Sequence, residues 1–374
     1  MDRERLFRQL EQRYISKREM LSRIPLGAQP DALWQELLNR RRSKATVLPI
    51  CNFLGLPYWY VTTDRMIAAS EKIVEALLEN ETDFDPYADP PAVATLEEVF
   101  YTSYVDGANI TIQEAMAFLQ SGQPPRNIEE QMVTNNRHAG SYASGNLYRM
   151  VDEVFLQELA FILTDGMEGG GHEYRTEDWI DIPSMRNEAY RLPPASSLPD
   201  RVNELLAFLE DIQIHPLIKA SAAQAWLLAI RPFPEGNERL GRILSNVILL
   251  RAGYTFFADV SLSALIARRS YGYYEAISNI MREENSGDLT YFLEFYLEIL
   301  ARAVDERRLR MEMKKAEILK VEAELAQTAL SPAPGNAAPA LVPDSGEIVE
   351  EALDAESMDE APDVLGGIFF EGRG

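Results

Sequence analysis

The chain has 374 residues, 36 basic and 59 acidic, for a formal charge of −23 at pH 7, with 46% apolar residues: room for two or three folded domains, but a poor match for a nucleic-acid binder, which needs clustered Lys and Arg. No uninterrupted apolar run approaches the ~18 residues of a spanning helix, so no membrane partner is expected. One cysteine, Cys51, excludes a disulfide framework, and the start MDRERLFRQLEQR lacks an apolar leader, so a reducing cytoplasm is the expected location.

Leu6, Leu10 and Tyr14 recur at spacing four and predict an amphipathic helix over residues 1–20. Residues 30–80, with VLPICNFLGLPYWYV followed by the periodic stretch Thr63–Leu78, are read as part of an N-terminal helical region spanning 1–85. The three prolines of DFDPYADPP (83–91) set its boundary. A core of residues 86–300 follows. Thr95–Val105 predicts a helix that stops at Asp106-Gly107, Thr111-x-x-Glu114 fits a capping box, and helical periodicity continues through 127–164. Residues 165–198, with three consecutive glycines and a closing proline pair, predict a loop and a small β-hairpin, Trp179–Ile182 against Tyr190–Leu192. Two helices are expected over 199–212 and 216–230, the second nearly all apolar and therefore buried.

The last predicted helix, 286–329, packs on the core as far as Leu300 and then becomes charged, giving a solvated extension over 301–330. A coiled-coil arm there would make a homodimer, although its heptads are irregular. From Ser331 onward ten acidic residues face one basic residue, Arg373, behind a Pro/Ala/Gly-rich opening. That composition predicts a disordered acidic tail over 331–374. The fold class is all-α with one hairpin.

The chemistry concentrates in Ile230-Arg231-Pro232-Phe233-Pro234-Glu235-Gly236-Asn237-Glu238-Arg239-Leu240-Gly241-Arg242. A buried helix ends, a Pro-rich loop follows, and a new helix starts with Asn237 as expected N-cap. Free N–H groups and the helix dipole make such a start an anion site. Arg239 and Arg242 lie in its first two turns, where guanidinium groups can reach phosphate, and Glu235 is placed to hold a hard cation such as Mg²⁺.

This stretch resembles the signature H-x-F-x-[DE]-G-N-G-R-x-x-R of the Fic (Fido) family. Phe233, Glu235, Gly236, Asn237, Arg239 and Arg242 fall on matching positions, and the likeness extends over about residues 95–300. The resemblance implies AMP transfer from ATP to a Ser, Thr or Tyr hydroxyl of a target protein. It places Mg²⁺ on Glu235 and the phosphates on Gly236, Asn237, the Glu238 position, Arg239 and Arg242. It also implies a target-docking flap at Trp179, Ile180, Asp181, Ile182 and Tyr190. Upstream, Thr102-Ser103-Tyr104-Val105-Asp106-Gly107 resembles the family's inhibitory helix, [ST]-x-x-x-E-[GN], with Asp106 in place of glutamate. Thr102, Asp106 and Gly107 are its candidate residues.

Two positions depart from the signature. Arg231 stands where the histidine base should be, and a guanidinium has no acceptor and stays protonated. Glu238 replaces the second glycine and puts a carboxylate at the anion site, where Arg231 is able to neutralise it. His138, His172 and His215 lie away from the motif in sequence. The expected function is therefore a Fic-type protein with lost or strongly reduced transfer, its ATP and Mg²⁺ sites weakened or absent, working by binding a target or regulatory protein. The alternative is an active nucleotidyl- or phosphoryl-transferase that uses another base or donor.

Overall fold

The computed structural model describes residues 3–24, 27–80, 95–178 and 191–330. Helix α1 (Arg3–Gln12) buries Leu6, Phe7 and Leu10, α2 (Lys17–Leu21) opens with a Ser16–Glu19 capping box, and α3 (Pro30–Arg42) starts with proline, where no N–H is needed. The stretch read from sequence as part of a helical region instead forms strands β1 (Thr46–Cys51) and β2 (Pro57–Tyr60). They pair antiparallel, Thr46 opposite Tyr60 and Val47 opposite Trp59. The reason is local. Pro49 and Pro57 are poorly tolerated in a helix interior, Gly55 adopts φ +81°, and Val47, Ile50, Tyr58 and Trp59 favour an extended backbone.

Helix α4 (Asp64–Asn80) closes this region. Next, α5 (Leu96–Val105) is capped by Thr95 and ends at Asp106-Gly107, and α6 (Ile112–Ser121) carries the expected Thr111–Glu114 capping box. The chain continues through α7 (Ile128–Gly145), α8 (Glu153–Thr164), α9 (Leu198–Glu210), α10 (Pro216–Ile230) and α11 (Asn237–Arg251). It ends with α12 (Leu262–Arg268), α13 (Ser270–Met281) and the long α14 (Thr290–Leu330). The class is all-α, as expected, and the two-stranded sheet of the described residues sits at 46–60. The hairpin expected at 179–192 falls almost wholly outside the described residues, as does the acidic tail.

Residues 1–318 make up one unit and residues 319–374 another, of which 319–330 are described and helical. Within the first unit, Trp34 Nε1 donates to the Glu284 carbonyl at 3.0 Å and Trp59 Nε1 to that of Ser286 at 2.9 Å, which joins the N-terminal helices to the approach of α14. The centre of the main core is α10, buried without interruption from Ala220 to Ile230. Its alanines (Ala220, Ala222, Ala223, Ala225, Ala229) and the large Trp226 are all buried, and α11 approaches closely where Gly241 faces Gln224 and Leu227. Truncating a side chain as large as Trp226 there would cost about 3–5 kcal/mol. A rigid α10–α11 pair fixes the loop between them.

Candidate functional site

Residues 231–236 carry the chain from the end of α10 to the start of α11. Arg231 caps α10 in a left-handed conformation (φ 49°), its N–H donating to the Leu227 carbonyl at 3.2 Å. Phe233 is buried against Tyr174, ring centroids 5.5 Å apart. Gly236 (φ +79°) is the N-cap of α11, and a Cβ there would come within 3.0 Å of Thr164 Cγ2, so conformation and space both demand glycine. Asn237, expected as the cap, instead lies inside the first turn and closes the loop on itself. Its Oδ1 accepts from the Phe233 N–H at 3.0 Å and its Nδ2 donates to the Phe233 carbonyl at 2.8 Å. Gly236 takes the cap because only it reaches positive φ without strain, which leaves the amide free to brace the loop.

The arginines of the first two turns are buried and engaged. Arg239 donates from Nη1 to the Leu163 carbonyl (2.8 Å) and from Nη2 to Glu235 Oε1 (3.1 Å), with Nε 3.2 Å from Asp106 Oδ2. Arg242 holds Thr102 twice, Nε to Oγ1 at 2.7 Å and Nη2 to the carbonyl at 3.0 Å, and reaches Asp106 Oδ1 at 2.5 Å. The shorter aspartate therefore does span the gap, and it bridges both arginines. Gly107, at φ +93°, turns the chain away just after it. Burial pushes the Asp106 carboxyl above its ordinary range and Glu238 adds to the rise, against Arg242 and Arg239. Burial disfavours charge on Arg242 too, but Asp106 outweighs it and the guanidinium is held more firmly protonated than usual.

Arg231 and Glu238, seven residues apart, form a direct ion pair with Arg231 Nη2 donating to Glu238 Oε1. The Arg231 side chain is buried and that of Glu238 mostly so. Burial would raise the Glu238 carboxyl, but Arg231, the residue's own backbone N–H and Arg242 together hold it below its ordinary range. A carboxylate bonded to an N–H of the first turn of α11 stands where an incoming anion would go.

One buried residue carried no sequence signal. Arg175 donates to the carbonyls of Arg231 (Nε, 2.9 Å), Glu177 (Nη1, 2.6 Å) and Pro193 (Nη2, 2.7 Å), and its own N–H donates to the Pro232 carbonyl at 2.9 Å. It sits in a polar, Gly-rich stretch with no periodicity, so nothing in the sequence marked it as buried. Trp179, Ile180, Asp181, Ile182 and Tyr190 lie outside the described residues. The histidines stay apart from the loop: His138 is exposed on α7, His172 packs edge-on to Phe161, and His215 caps α10 by accepting from the Leu217 N–H.

The residues present do not fit a nucleotide polyphosphate in this arrangement, because Glu238 holds the helix N-terminus and Asp106 the two arginines. Glu235 keeps a partly exposed carboxylate, but the Arg239 guanidinium beside it opposes a cation, and the described residues contain no cluster of metal-ligating side chains.

The fold is largely helical, and its Pro-rich loop feeds a helix N-terminus lined by buried arginines. The Fic/DOC family model matches residues 150–249, which include this loop and helix, so the chain carries a Fic/DOC domain there. Among curated relatives it is 24% identical over 228 residues to the protein adenylyltransferase Fic of Culex quinquefasciatus, covering 57% of this chain and 41% of the relative. The Nematostella vectensis protein of the same name is also 24% identical, over 219 residues and 48% of its length. The chain thus spans less than half the length of these relatives. Among solved structures, a Fic family protein from Desulfovibrio desulfuricans superposes with a TM-score of 0.55 at 22% identity, covering 66% of this chain and 75% of that one. Residues 134–508 of Fic-1 from C. elegans give 0.51 at 19% identity, over 66% and 74%. These likenesses concern the fold. Among the described residues no helix is long and apolar enough to cross a membrane.

Proposed function

We propose that this chain is a Fic-fold protein in which AMP transfer is lost or strongly reduced, and that it acts by binding a target or regulatory protein. The observation that carries this reading is the Arg231–Glu238 ion pair at the start of α11. A positioned base contributes about 10²–10⁴-fold to such a transfer, and Arg231 has no acceptor with which to take the target hydroxyl's proton. Glu238 adds a second obstacle. A phosphate charge 4 Å from its carboxylate would be opposed by about 4 kcal/mol at an effective dielectric of 20, enough to weaken binding by roughly three orders of magnitude. Asp106 supports the same reading from the other side, since it occupies the donors of Arg239 and Arg242 that would otherwise meet phosphate. In this account Glu235, Gly236, Asn237, Arg239 and Arg242 are the framework of a former nucleotide and Mg²⁺ site, and Thr102, Asp106 and Gly107 the clasp that fills part of it.

The competing reading, an active nucleotidyl- or phosphoryl-transferase with another base or donor, draws on the same Glu235, Arg239 and Arg242. Incubation of the full chain with α-labelled ATP, Mg²⁺ and a protein extract separates the two. The proposal expects no label above background on the chain or on acceptors. Labelling at the rate of Fic proteins with the intact signature would overturn it.

A further inference from the structure

Arg175 carries a charge, is 4% exposed, and has no carboxylate within ion-pair distance among the described residues. Burial makes its charged form less comfortable than usual, with only Asp178 opposing. Such a group persists where backbone carbonyls replace its water, and the carbonyl end of a helix is the favoured place for it. That is where it lies. Its Nε and Nη2 face the carbonyls of Arg231 and Ile230, at 2.9 and 3.4 Å, at the end of α10. The same guanidinium holds Glu177 and Pro193, so the chain leaves and re-enters one anchoring point.

The residue it grips is strained. Arg231 is a non-glycine at φ 49° and immediately precedes Pro232. A left-handed conformation costs an ordinary residue enough that it survives only where neighbours over-determine it. Here Arg175 supplies the restraint on both sides: its side chain binds the Arg231 carbonyl and its backbone N–H the Pro232 carbonyl. With the backbone so fixed, the Arg231 side chain leaves the end of α10 toward the first turn of α11, where it meets Glu238.

We infer that Arg175 is a positioning residue which, by clamping the carbonyls of Arg231 and Pro232, holds Arg231 in the left-handed conformation that aims its guanidinium at Glu238 and keeps the anion site closed. Closure is controlled from a residue that touches neither the carboxylate nor the helix N-terminus. This inference rests on the reading of the Arg231–Glu238 pair as the closure of that site.

The test follows the Glu238 carboxyl by carbon NMR on selectively labelled full-length protein, with Glu238→Gln to assign the resonance. The titratable groups that act on this carboxyl are Arg231, Arg242 and Asp106, together with Tyr273 and Tyr274 of α13. In Arg175→Ala the carboxyl should titrate about one pH unit or more above its wild-type value, a tenfold change in its protonation equilibrium. Arg175→Lys, whose single ammonium can serve only some of the carbonyls, should fall between. If Arg175→Ala does not fold, the lysine variant carries the test alone. A lowered melting temperature with the titration unmoved would mean that Arg175 merely holds the fold together, and would overturn the inference. A parallel titration with inorganic pyrophosphate keeps the two readings apart. Failure of Glu238→Gly to gain pyrophosphate affinity would sink the closed-site reading, while the carboxyl titration would still decide whether Arg175 positions Arg231.

Discussion

Two buried arginine networks in this protein solve different problems. Near the N-terminus, Arg41 donates to the Ile15 carbonyl (2.9 Å) and the Tyr291 hydroxyl (2.8 Å), and its guanidinium lies 3.9 Å from the centre of the Tyr14 ring. Asp288, buried beside it, accepts from the Tyr14 hydroxyl at 2.8 Å and the Thr290 N–H at 3.0 Å. One cation and one anion are shared among neutral donors, acceptors and an aromatic face. At the motif, three arginines and three carboxylates converge on the first two turns of one helix, and each carboxylate is bound directly by guanidinium. The first arrangement joins the N-terminal helices to α14, as a fold requires. The second is far richer in charge than packing requires, and it surrounds a helix N-terminus. Cationic donors concentrated where a dipole already favours anions are the ground for the proposed former site, which the chain's own carboxylates fill.

The largest expected effect lies at the motif. Arg231→His with Glu238→Gly should label proteins from α-labelled ATP at least about 10²-fold faster than either single change, because the two act on one transition state. Asp106→Gly on that background should raise the rate further by freeing Arg239 and Arg242. If the double variant neither binds ATP nor labels anything, the site has diverged beyond these two positions.

Asp106→Ala and Asp288→Ala sharpen the comparison through stability. Asp106→Ala leaves two buried guanidinium groups without their carboxylate and should lose about 3–5 kcal/mol in denaturant unfolding. Asp288→Ala leaves the Tyr14 hydroxyl and the Thr290 N–H without their acceptor and should lose about 1–3 kcal/mol. Pyrophosphate should then separate them. It should raise the melting temperature of Asp106→Ala, where an anion can replace the lost carboxylate, and leave Asp288→Ala unchanged. Equal responses would erase the distinction between site and scaffold.

A smaller effect is in the pH dependence, and its sign differs between Glu238 and Asp288. Burial raises the Asp288 carboxyl above its ordinary value, against Arg41 and its hydrogen bonds, so its contribution is lost as pH climbs from about 4 through the raised folded value. Glu238 is held below its ordinary value, so its contribution is present above about pH 4.3 and lost as pH falls through the lowered one. Unfolding free energies between pH 3 and 7 should therefore lose part of their acid-side fall in Glu238→Gln and part of their alkaline-side fall in Asp288→Asn. The reverse assignment would contradict both placements.

The two networks also differ in how much of each could be read beforehand. The motif is local. The end of a buried apolar run, a Pro-rich turn and an arginine-bearing helix start lie within thirteen residues, so the loop, the helix and the Arg231–Glu238 pairing follow from order along the chain. The Asp106 clasp was legible through the Thr102–Gly107 pattern, although its reach to both arginines depends on how α5 meets α11. The N-terminal network was invisible, since Tyr14 and Asp288 are 274 positions apart and neither bears a motif. Strands β1 and β2 were missed because a run with apolar residues on every side hides its period, and the breakers Pro49, Gly55 and Pro57 were the better guide. Arg175 escaped because its partners are backbone carbonyls, which no sequence displays.

The central claim, that the chain's own charges close a retained anion site, is tested most directly by calorimetric titration of the full chain with ATP and Mg²⁺, alongside Glu238→Gly. The account predicts no measurable binding to the wild type and clear binding to the variant, whose backbone cradle is reopened and whose opposing charge is gone. Tight binding to the wild type, unchanged in Glu238→Gly, would contradict it.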